Sequence, residues 1–232
     1  PGAANDQFGY SLDIDVSNNW CIIGSPQKLA NGNGKADIYE NVSGTWTHRK
    51  TVTATDGAAG DNFGVSVRIN DENTFAFVGA DNHSSAKGAV YIFKKNHPSA
   101  NSWGQYQKVV SLDERINSYF GKSIGVHGNT LLIGSPNGGN FSGAAYEVTY
   151  STGTGKWGYQ SGSNYLPSSD KIVASDASAN DQYGYSVDVY DNFGIIGSKS
   201  TDMSGNVDTG SAYIIINTGE GYWEESKQIN PV

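Results

Sequence analysis

The sequence predicts an all-β fold assembled from four copies of one structural unit. Three observations support this prediction: short runs that alternate apolar and polar residues, the lack of a helical period, and a set of features that returns four times in the same order. Thirty glycines and a charged fraction of only 16% suit many short strands joined by tight turns. Such a repeat indicates units that bury their apolar faces against their neighbours.

Each unit opens with an aromatic residue followed by glycine, at Phe8-Gly9, Phe63-Gly64, Phe120-Gly121 and Tyr183-Gly184. The four aromatic rings are predicted to occupy equivalent buried positions between units, and the glycine is predicted to allow close approach of the backbones. A second predicted strand ends at a glycine, which is Gly24, Gly79, Gly134 or Gly197. A third strand begins at Gly34, Gly88, Gly143 or Gly210 and reaches a tyrosine, which is Tyr39, Tyr91, Tyr146 or Tyr213.

The first unit shows the expected strands most clearly. Residues 10–16 alternate as a half-buried strand does, and residues 20–23 are apolar on both faces. The third strand is predicted over 36–42 and a polar outer strand over 46–53. Each unit ends near one tryptophan that is predicted to pack its outer strand onto the sheet: Trp46, Trp103, Trp157 and Trp223. The segment 151–167 is predicted to be a long loop.

The ordered copies of the aromatic-Gly pair and the glycine-terminated strands resemble the FG-GAP repeat family, and most closely its bacterial and cell-surface branch. The resemblance covers essentially the whole chain. It implies an integrin-α-like β-propeller of four blades, with four antiparallel strands in each blade. Residues 1–232 would then form one propeller domain, with repeats at about 1–55, 56–112, 113–175 and 176–232.

Relatives of the integrin type often hold calcium in the first hairpin of a repeat, between closely spaced acidic residues. Only the first repeat of this chain keeps two acids at the required interval, and these are Asp13 and Asp15. Calcium needs six to eight oxygen ligands, so an incomplete acidic set argues against a site. The expectation is therefore no cofactor, with Asp13 and Asp15 as the metal candidates.

Two further acidic positions recur before the aromatic-Gly pair. Asp56, Asp113 and Asp176 lie seven residues before it, and Asp6, Asp61 and Asp181 lie two residues before it. The favoured interpretation is that these side chains cap backbone N–H groups in the loops between units. The alternative is a ring of carboxylates that holds a cation.

The charge balance limits the partners of the chain. A net charge of −8 and a pI of about 4.8 argue against nucleic acid and anionic membranes, which need clustered basic residues. No apolar run is long enough for membrane insertion. The resemblance and a start at Pro1 predict a processed protein at the cell surface or outside the cell. The expected partners are copies of itself, with an extracellular glycan or protein ligand as a further option.

The sequence contains no recognisable catalytic constellation. The four histidines share no repeat position, and none belongs to a metal or nucleophile motif. The prediction is a non-catalytic module for structure, self-assembly or adhesion, for example a subunit of an extracellular filament. Two alternatives stay open: a carbohydrate-binding module that uses the aromatic segment 157–165, and an enzyme with a site at the channel mouth.

The two ends of the chain lie in repeat register with each other. An aliphatic residue precedes the aromatic-Gly pair by eleven positions at Val52, Val109 and Ile172, and Ile229 stands at the same interval from Phe8 if the ends are joined. The expectation is a closed ring of four blades whose terminal segments also contact a neighbouring copy. The predicted contact residues are Pro1, Gly2, Ala3, Ala4, Asn5, Ile229, Asn230, Pro231 and Val232.

Overall fold

Four antiparallel sheets, one for each repeat, make up the protein. The computed structural model describes residues 6–15, 17, 19–27, 32–70, 75–113, 115–139, 141–168, 171–202, 207–219 and 222–231. The prediction of an all-β fold is confirmed, because within these residues the only helical segment is one short turn, α1 (His83–Ala86). In every sheet the first three strands follow chain order from one edge, so each unit is a simple meander.

The first sheet contains β1 (Ser11–Asp15), β2 (Trp20–Ser25), β3 (Lys35–Val42) and β4 (Thr45–Val52). The second contains β5 (Val67–Asn70), β6 (Phe75–Ala80), β7 (Ala89–Lys95) and β8 (Trp103–Val110). The third contains β9 (Ser123–His127), β10 (Thr130–Ser135), β11 (Ala144–Ser151) and β12 (Lys156–Trp157). Two short strands follow, β13 (Tyr159–Ser161) and β14 (Asn164–Leu166). The fourth contains β15 (Tyr183–Tyr190), β16 (Phe193–Ser198), β17 (Ser211–Gly219) and β18 (Tyr222–Ile229).

The segment 151–167, which the sequence predicted to be a loop, forms structure of its own. Its hairpin β13–β14 joins the outer edge of the second sheet through a parallel bridge between Tyr165 and Val109. Gln107 holds the segment in place, since its amide donates to the Trp157 carbonyl at 3.0 Å and accepts from the Trp157 N–H at 2.9 Å. The third sheet therefore keeps only a two-residue outer strand, and the second sheet gains two strands.

Consecutive sheets pack face to face, and their contacts divide the apolar interior into three cores. We call the face that each sheet turns toward the next sheet its forward face, and the opposite face its backward face. The first core joins the forward side chains Trp20 and Ile22 to the backward side chains Val67 and Tyr91. The second and third cores repeat this arrangement between the later sheets. Each junction between sheets thus has its own core, as expected for a repeat protein.

The same three contacts recur at each junction. The glycine that begins a third strand bridges the aromatic residue of the next sheet, in the pairs Gly34–Phe63, Gly88–Phe120 and Gly143–Tyr183. A serine hydroxyl of each first strand donates to the carbonyl of the following aromatic-Gly glycine. These bonds join Ser11 to Gly64 at 2.7 Å, Ser66 to Gly121 at 2.7 Å, and Ser123 to Gly184 at 2.9 Å.

The third contact explains the glycine near the end of each second strand. A Cβ on Gly24, Gly79 or Gly134 would lie 2.2, 2.1 or 2.0 Å from the carbonyl oxygen of Gly64, Gly121 or Gly184 of the next sheet. No side chain fits in that space, so the backbones of adjacent sheets approach as closely as only glycine permits.

The aromatic residue of the aromatic-Gly pair is buried in three repeats and exposed in the first. Phe63, Phe120 and Tyr183 are at most 1% exposed, which confirms the prediction for these repeats. Phe8 is 55% exposed, so the prediction is wrong there. The physical reason is that, among the described residues, no other sheet covers the backward face of the first sheet. The tryptophans follow the same trend, because Trp103 and Trp157 are buried whereas Trp46 is exposed.

Replacement of the aromatic residue by alanine should therefore have opposite outcomes at two equivalent positions. Phe63→Ala removes a fully buried ring and should lower the free energy of unfolding by about 3–5 kcal/mol. Phe8→Ala, in dilute monomeric protein, should change it by about 0.5 kcal/mol or less, as is usual for an exposed side chain. Urea unfolding of both variants measures the difference, and equal losses would contradict the assignment of Phe8 to an uncovered face.

Candidate functional site

The first strands of all four sheets line one groove along the axis of the molecule, with a volume of about 640 Å³. Two register positions supply its polar side chains. Counted from the repeated serine (Ser11, Ser66, Ser123 or Ser186) as the first, the third position gives Asp13, Arg68 and Asp188. The fifth position gives Asp15, Asn70, His127 and Tyr190. The groove thus collects carboxylates, one guanidinium, one imidazole and one phenol from sheets that are far apart in sequence.

Asp13 is a half-buried acid in the groove. Burial raises the pKa of its carboxyl, and the nearby Asp188 adds to this effect. The backbone N–H of Ile69, which donates to Asp13 Oδ2 at 2.9 Å, and the positive charge of Arg68 act against it. A carboxyl whose pKa is raised by burial is the kind of group that exchanges protons in functional sites.

His127 and Tyr190 form the opposite wall of the groove. Their ring centroids lie 4.3 Å apart, and the Asp191 N–H donates to His127 Nδ1 at 2.9 Å. Because Nδ1 accepts this bond, the proton of the neutral imidazole is on Nε2, which is then a donor. The groove therefore offers donors, acceptors and an aromatic surface to a polar ligand.

The metal candidates Asp13 and Asp15 both lie in the groove. In the part of the chain that the structure describes, no three His, Cys, Asp or Glu side chains come close enough together to hold a metal ion. The N–H of Ser17 donates to Asp15 at 2.9 Å, so one Asp15 oxygen stabilises the turn after β1.

The recurring aspartates have structural partners. The carboxylates of Asp61 and Asp181 accept the backbone N–H groups of Ala58 and Ser178 at 2.9 and 2.8 Å, which confirms the capping interpretation for these two. The residues seven positions before the aromatic-Gly pair do something else. They accept tyrosine hydroxyls of the third strand: Tyr91 donates to Asp56 at 2.8 Å, Tyr146 to Asp113 at 3.1 Å, and Tyr213 to Asp176 at 2.8 Å.

These Asp–Tyr pairs were missed by sequence reasoning, although the sequence carries a signal for them. The signal is that the aspartate and the tyrosine are present together in three repeats and absent together in the first. In the first repeat, Pro1 stands at the position of the aspartate and Asp37 at the position of the tyrosine. Burial raises the pKa of the Tyr213 hydroxyl to about 12, helped by Asp176. The hydroxyl therefore stays protonated and continues to donate at physiological pH.

The backward face of the first sheet is an uncovered apolar surface, which we call the first end face. Leu12 is 66% exposed, whereas the equivalent residues Val67, Ile124 and Val187 are at most 6% exposed. Ile14 is 52% exposed, whereas Ile69 and Val189 at the same position are 5% exposed. Phe8 and Trp46 lie on the same face.

The forward face of the fourth sheet is uncovered as well, and we call it the second end face. Ile195 is 42% exposed, whereas Ile22, Phe77 and Leu132 at the same position are fully buried. Phe193 is 51% exposed, and its counterparts Trp20 and Phe75 are buried. Large exposed apolar surfaces of this kind mark interaction sites.

The predicted closure of the ring within one chain does not appear in the described residues. Phe8 and Gly210 occupy the positions that bridge at the three internal junctions, yet they form no such bridge. Of the predicted terminal contacts, Pro1, Gly2, Ala3, Ala4, Asn5 and Val232 lie outside the described residues.

The remaining terminal residues are used inside the fourth sheet. Ile229 pairs with Ala212, and Asn230 accepts the Ser211 hydroxyl at 2.9 Å, while Pro231 is exposed. The last strand therefore pairs with β17 in its own sheet, and the contact of these residues with a neighbouring copy stays a prediction. The carbohydrate-binding alternative also loses its main residue, because Trp157 is fully buried against Phe75 and Phe77.

Comparison with known proteins identifies the repeat. A family model described as FG-GAP repeat matches residues 46–93, 103–149 and 168–215. The first two matches begin in the outer strands β4 and β8 and end in the third strand of the next sheet. The third match begins at Ser168, after β14, and ends in β17, the third strand of the fourth sheet. Among curated proteins, none matches the chain significantly.

Solved structures share the fold, and two of them serve as examples. One is a protein named as a 6-phosphogluconolactonase from Bacteroides uniformis, with 10% identity and a TM-score of 0.58 over 97% of this chain and 57% of that chain. The other is the periplasmic gluconolactonase of Pseudomonas aeruginosa, with 11% identity and a TM-score of 0.56 over 96% of this chain and 57% of that chain. The chain thus spans little more than half the length of either structure.

These comparisons correct the prediction that the chain is not an enzyme. The similar structures are named as lactonases, so this fold supports catalysis, and the lack of a catalytic motif in the sequence does not exclude it. At such low identity the likeness concerns the fold alone. In the described residues, no helix has the length and apolar character needed to span a membrane.

The groove makes one prediction about stability. The pKa of Asp13 is higher in the folded protein than in the unfolded chain. At pH values between these two pKa values, the folded protein therefore binds more protons than the unfolded chain. Because of Asp13, the free energy of unfolding then falls as pH rises through this range. Asp13→Asn should flatten this decline while keeping an acceptor for the Ile69 N–H. Thermal unfolding between pH 4 and neutrality measures the slope, with Asp208→Asn on an exposed loop as the control. An unchanged slope would contradict the assignment.

Proposed function

The chain belongs to the FG-GAP repeat family, and on that premise we propose that it is a β-propeller module of a secreted or cell-surface protein. Its role is structural: it joins further FG-GAP sheets through its two end faces and so builds an extracellular assembly or an adhesive surface. Family members are typical of the cell exterior, which supports this location. Labelling of intact cells with an antibody against the chain tests the location directly.

The uncovered end faces are the observation that carries the structural role. Apolar residues that are buried at all three internal junctions are exposed at the two ends, including Leu12 on the first end face and Ile195 on the second. Burial of such side chains contributes about 1.5–3 kcal/mol each, so each face favours a partner sheet. A propeller is the architecture in which every such face is covered.

Charged substitutions on both end faces should abolish association. Size-exclusion chromatography with light scattering, over a range of concentrations, should show association of the wild type and a monomeric Leu12→Asp/Ile195→Asp double variant. Ile116→Asp is the matched control, because Ile116 is equally exposed but lies on the loop between the second and third sheets. A wild type that stays monomeric throughout would overturn the proposed role.

A second candidate function is hydrolysis of a sugar lactone in the axial groove. The observation that favours it is the convergence of Asp13, Arg68 and Asp188 on one groove of about 640 Å³. In this reaction water attacks the ring carbonyl and the ring C–O bond breaks. The Asp13 carboxylate would accept the water proton and then pass it to the departing ring oxygen, which leaves as a hydroxyl. The Arg68 guanidinium would stabilise the oxyanion.

A pH-stat assay with gluconolactone tests this candidate. Asp13→Asn should lower the rate above the uncatalysed background by a factor of about 100 or more, as for loss of a general base. Asp208→Asn serves again as the control. A wild-type rate equal to the buffer background, or an unchanged rate for Asp13→Asn, would remove the lactonase candidate.

A further inference from the structure

We propose that a cavity at the outer edge of the second sheet binds a small carboxylic acid that carries hydroxyl groups, such as a sugar acid. The cavity has a volume of about 230 Å³, which suits a ligand smaller than the drug-sized molecules that fill typical pockets. Among the described residues, it shares no lining residue with the axial groove, so the inference goes beyond both functions proposed above and depends on neither. The polar residues that line the cavity are His83, Ser84, Lys87, Lys108, Ser111 and Asn164.

The hairpin β13–β14 forms one wall of the cavity. Asn164 is the first residue of β14, and its neighbour Tyr165 bridges Val109 of the second sheet. The segment belongs to the third repeat in sequence, yet Gln107 holds it on the second sheet through two hydrogen bonds. In the described residues, the outer strands β4 and β18 of the first and fourth sheets carry no added hairpin. The segment 151–167 thus adds a wall to one sheet edge, and connecting segments of this kind often carry function.

The charge of the lining favours an acid as the ligand. Among the described residues that line the cavity, none is acidic, whereas two are lysines, Lys87 and Lys108. This composition contrasts with the net charge of −8 of the whole chain. Hydrogen bonds between an ammonium group and a carboxylate are charge-assisted and stronger than those between neutral groups. The cavity is therefore expected to prefer a ligand with an acidic group over a neutral one.

Lys108 can bind such a group without losing its structural partner. Its ammonium group donates to Asp56 at 2.6 Å, which uses one of its three N–H donors. The fourth repeat shows that this contact does not need a charge. Gln228 stands at the position of Lys108, opposite the equivalent tyrosine, and donates to Asp176 at 2.8 Å. The fold therefore does not require the positive charge of Lys108, and we assign that charge to the ligand.

His83 supplies a hydrogen-bond acceptor for a ligand hydroxyl. Its Nδ1 lies 2.7 Å from Oδ2 of the buried Asp61. Because a carboxylate only accepts, the proton of the neutral imidazole is on Nδ1, and Nε2 is an acceptor. Nε2 lies 3.9 Å from Asp56, which is beyond hydrogen-bond distance, so it remains available. The amide of Asn164 adds a donor and an acceptor from the hairpin. A carboxylate at Lys108 with hydroxyls at His83 and Asn164 would use all three.

The turn that carries His83 and Ser84 has an unusual backbone conformation. Ser84, Ser85 and Ala86 have φ values of 54°, 63° and 58°, in the left-handed region that residues other than glycine rarely adopt. A hydrogen bond from the Ala86 N–H to the Asn82 carbonyl, at 3.1 Å, closes the turn. Strained backbone of this kind is concentrated at ligand sites, where it positions side chains. Here the turn places His83 and Ser84 in the lining of one cavity.

Lys108→Gln is the central test, with glucuronate as the ligand and isothermal titration calorimetry as the measurement. The wild type should bind glucuronate, and Lys108→Gln should weaken binding about tenfold, as for loss of a hydrogen bond to a charged group. The variant should keep wild-type stability in urea, because glutamine already makes the equivalent contact at Gln228. Lys227→Gln is the matched control, since it makes the same charge change at an exposed position of β18. Equal affinity of Lys108→Gln and the wild type would overturn the proposal.

Two further ligands test which groups are recognised. Glucose has a similar ring without the charge, and sulfate has the charge without the hydroxyls, so each should bind about tenfold more weakly than glucuronate. Asn164→Ala should weaken the binding of glucuronate and leave that of sulfate unchanged. Glucose that binds as tightly as glucuronate would exclude recognition of the acid, and equally tight sulfate would exclude recognition of the hydroxyls. Either result, or a wild type that binds no glucuronate, would overturn the proposal.

Discussion

The structure depends on one contact, the close approach of two backbones at each junction between sheets. The glycine near the end of a second strand lies directly against the carbonyl of the aromatic-Gly glycine in the next sheet, with a gap too small for a methyl group. This contact sets the spacing at which the serine hydroxyl reaches the same carbonyl at 2.7–2.9 Å. It also brings the aromatic ring into the core between the sheets, because ring and glycine are adjacent in sequence.

Because every junction has its own core, stability is distributed along the chain and does not reside in one centre. Each sheet depends on its immediate neighbours, as the separate clusters around Phe63, Phe120 and Tyr183 show. An inner sheet has both faces covered, whereas the first and fourth have one each. The exposed fractions of Leu12 and Ile195 are the consequence of that position and do not reflect a different residue choice.

The sequence predicted the elements well where the signal is local. The aromatic-Gly pairs, the glycine-terminated strands and the alternation within β1 and β15 are spelled out by neighbouring residues, so the strands and their order could be predicted. The pairing of Tyr91 with Asp56 was missed because it joins residues 35 positions apart and each has a plausible local explanation. The hairpin β13–β14 was missed for a similar reason, since its anchor is Gln107 in another repeat.

The axial site lay beyond sequence reasoning for a geometric reason. Asp13, Arg68, His127 and Asp188 come from four repeats, and they share a groove only because the first strand of each sheet faces the same axis. Once the strands are placed, two register positions identify them. Asp13 had been considered as a metal ligand because of its spacing from Asp15, whereas its structural partners are the Ile69 N–H and the Arg68 charge.

Closure of the ring was the expectation that local register could not decide. Ile229 lies eleven residues before Phe8 whether the two residues belong to the same chain or to two copies. The spacing shows only which residues are equivalent, so it does not decide whether the ring closes within one chain. Closure depends instead on the angle between adjacent sheets and on the number of sheets. That angle is set by how side chains pack between the sheets. The exposure of Leu12 and Ile195 supplies what the register lacks. After three junctions, the first and fourth sheets do not cover each other in the described residues. The apolar residues of the two end faces are therefore available to bind a partner sheet.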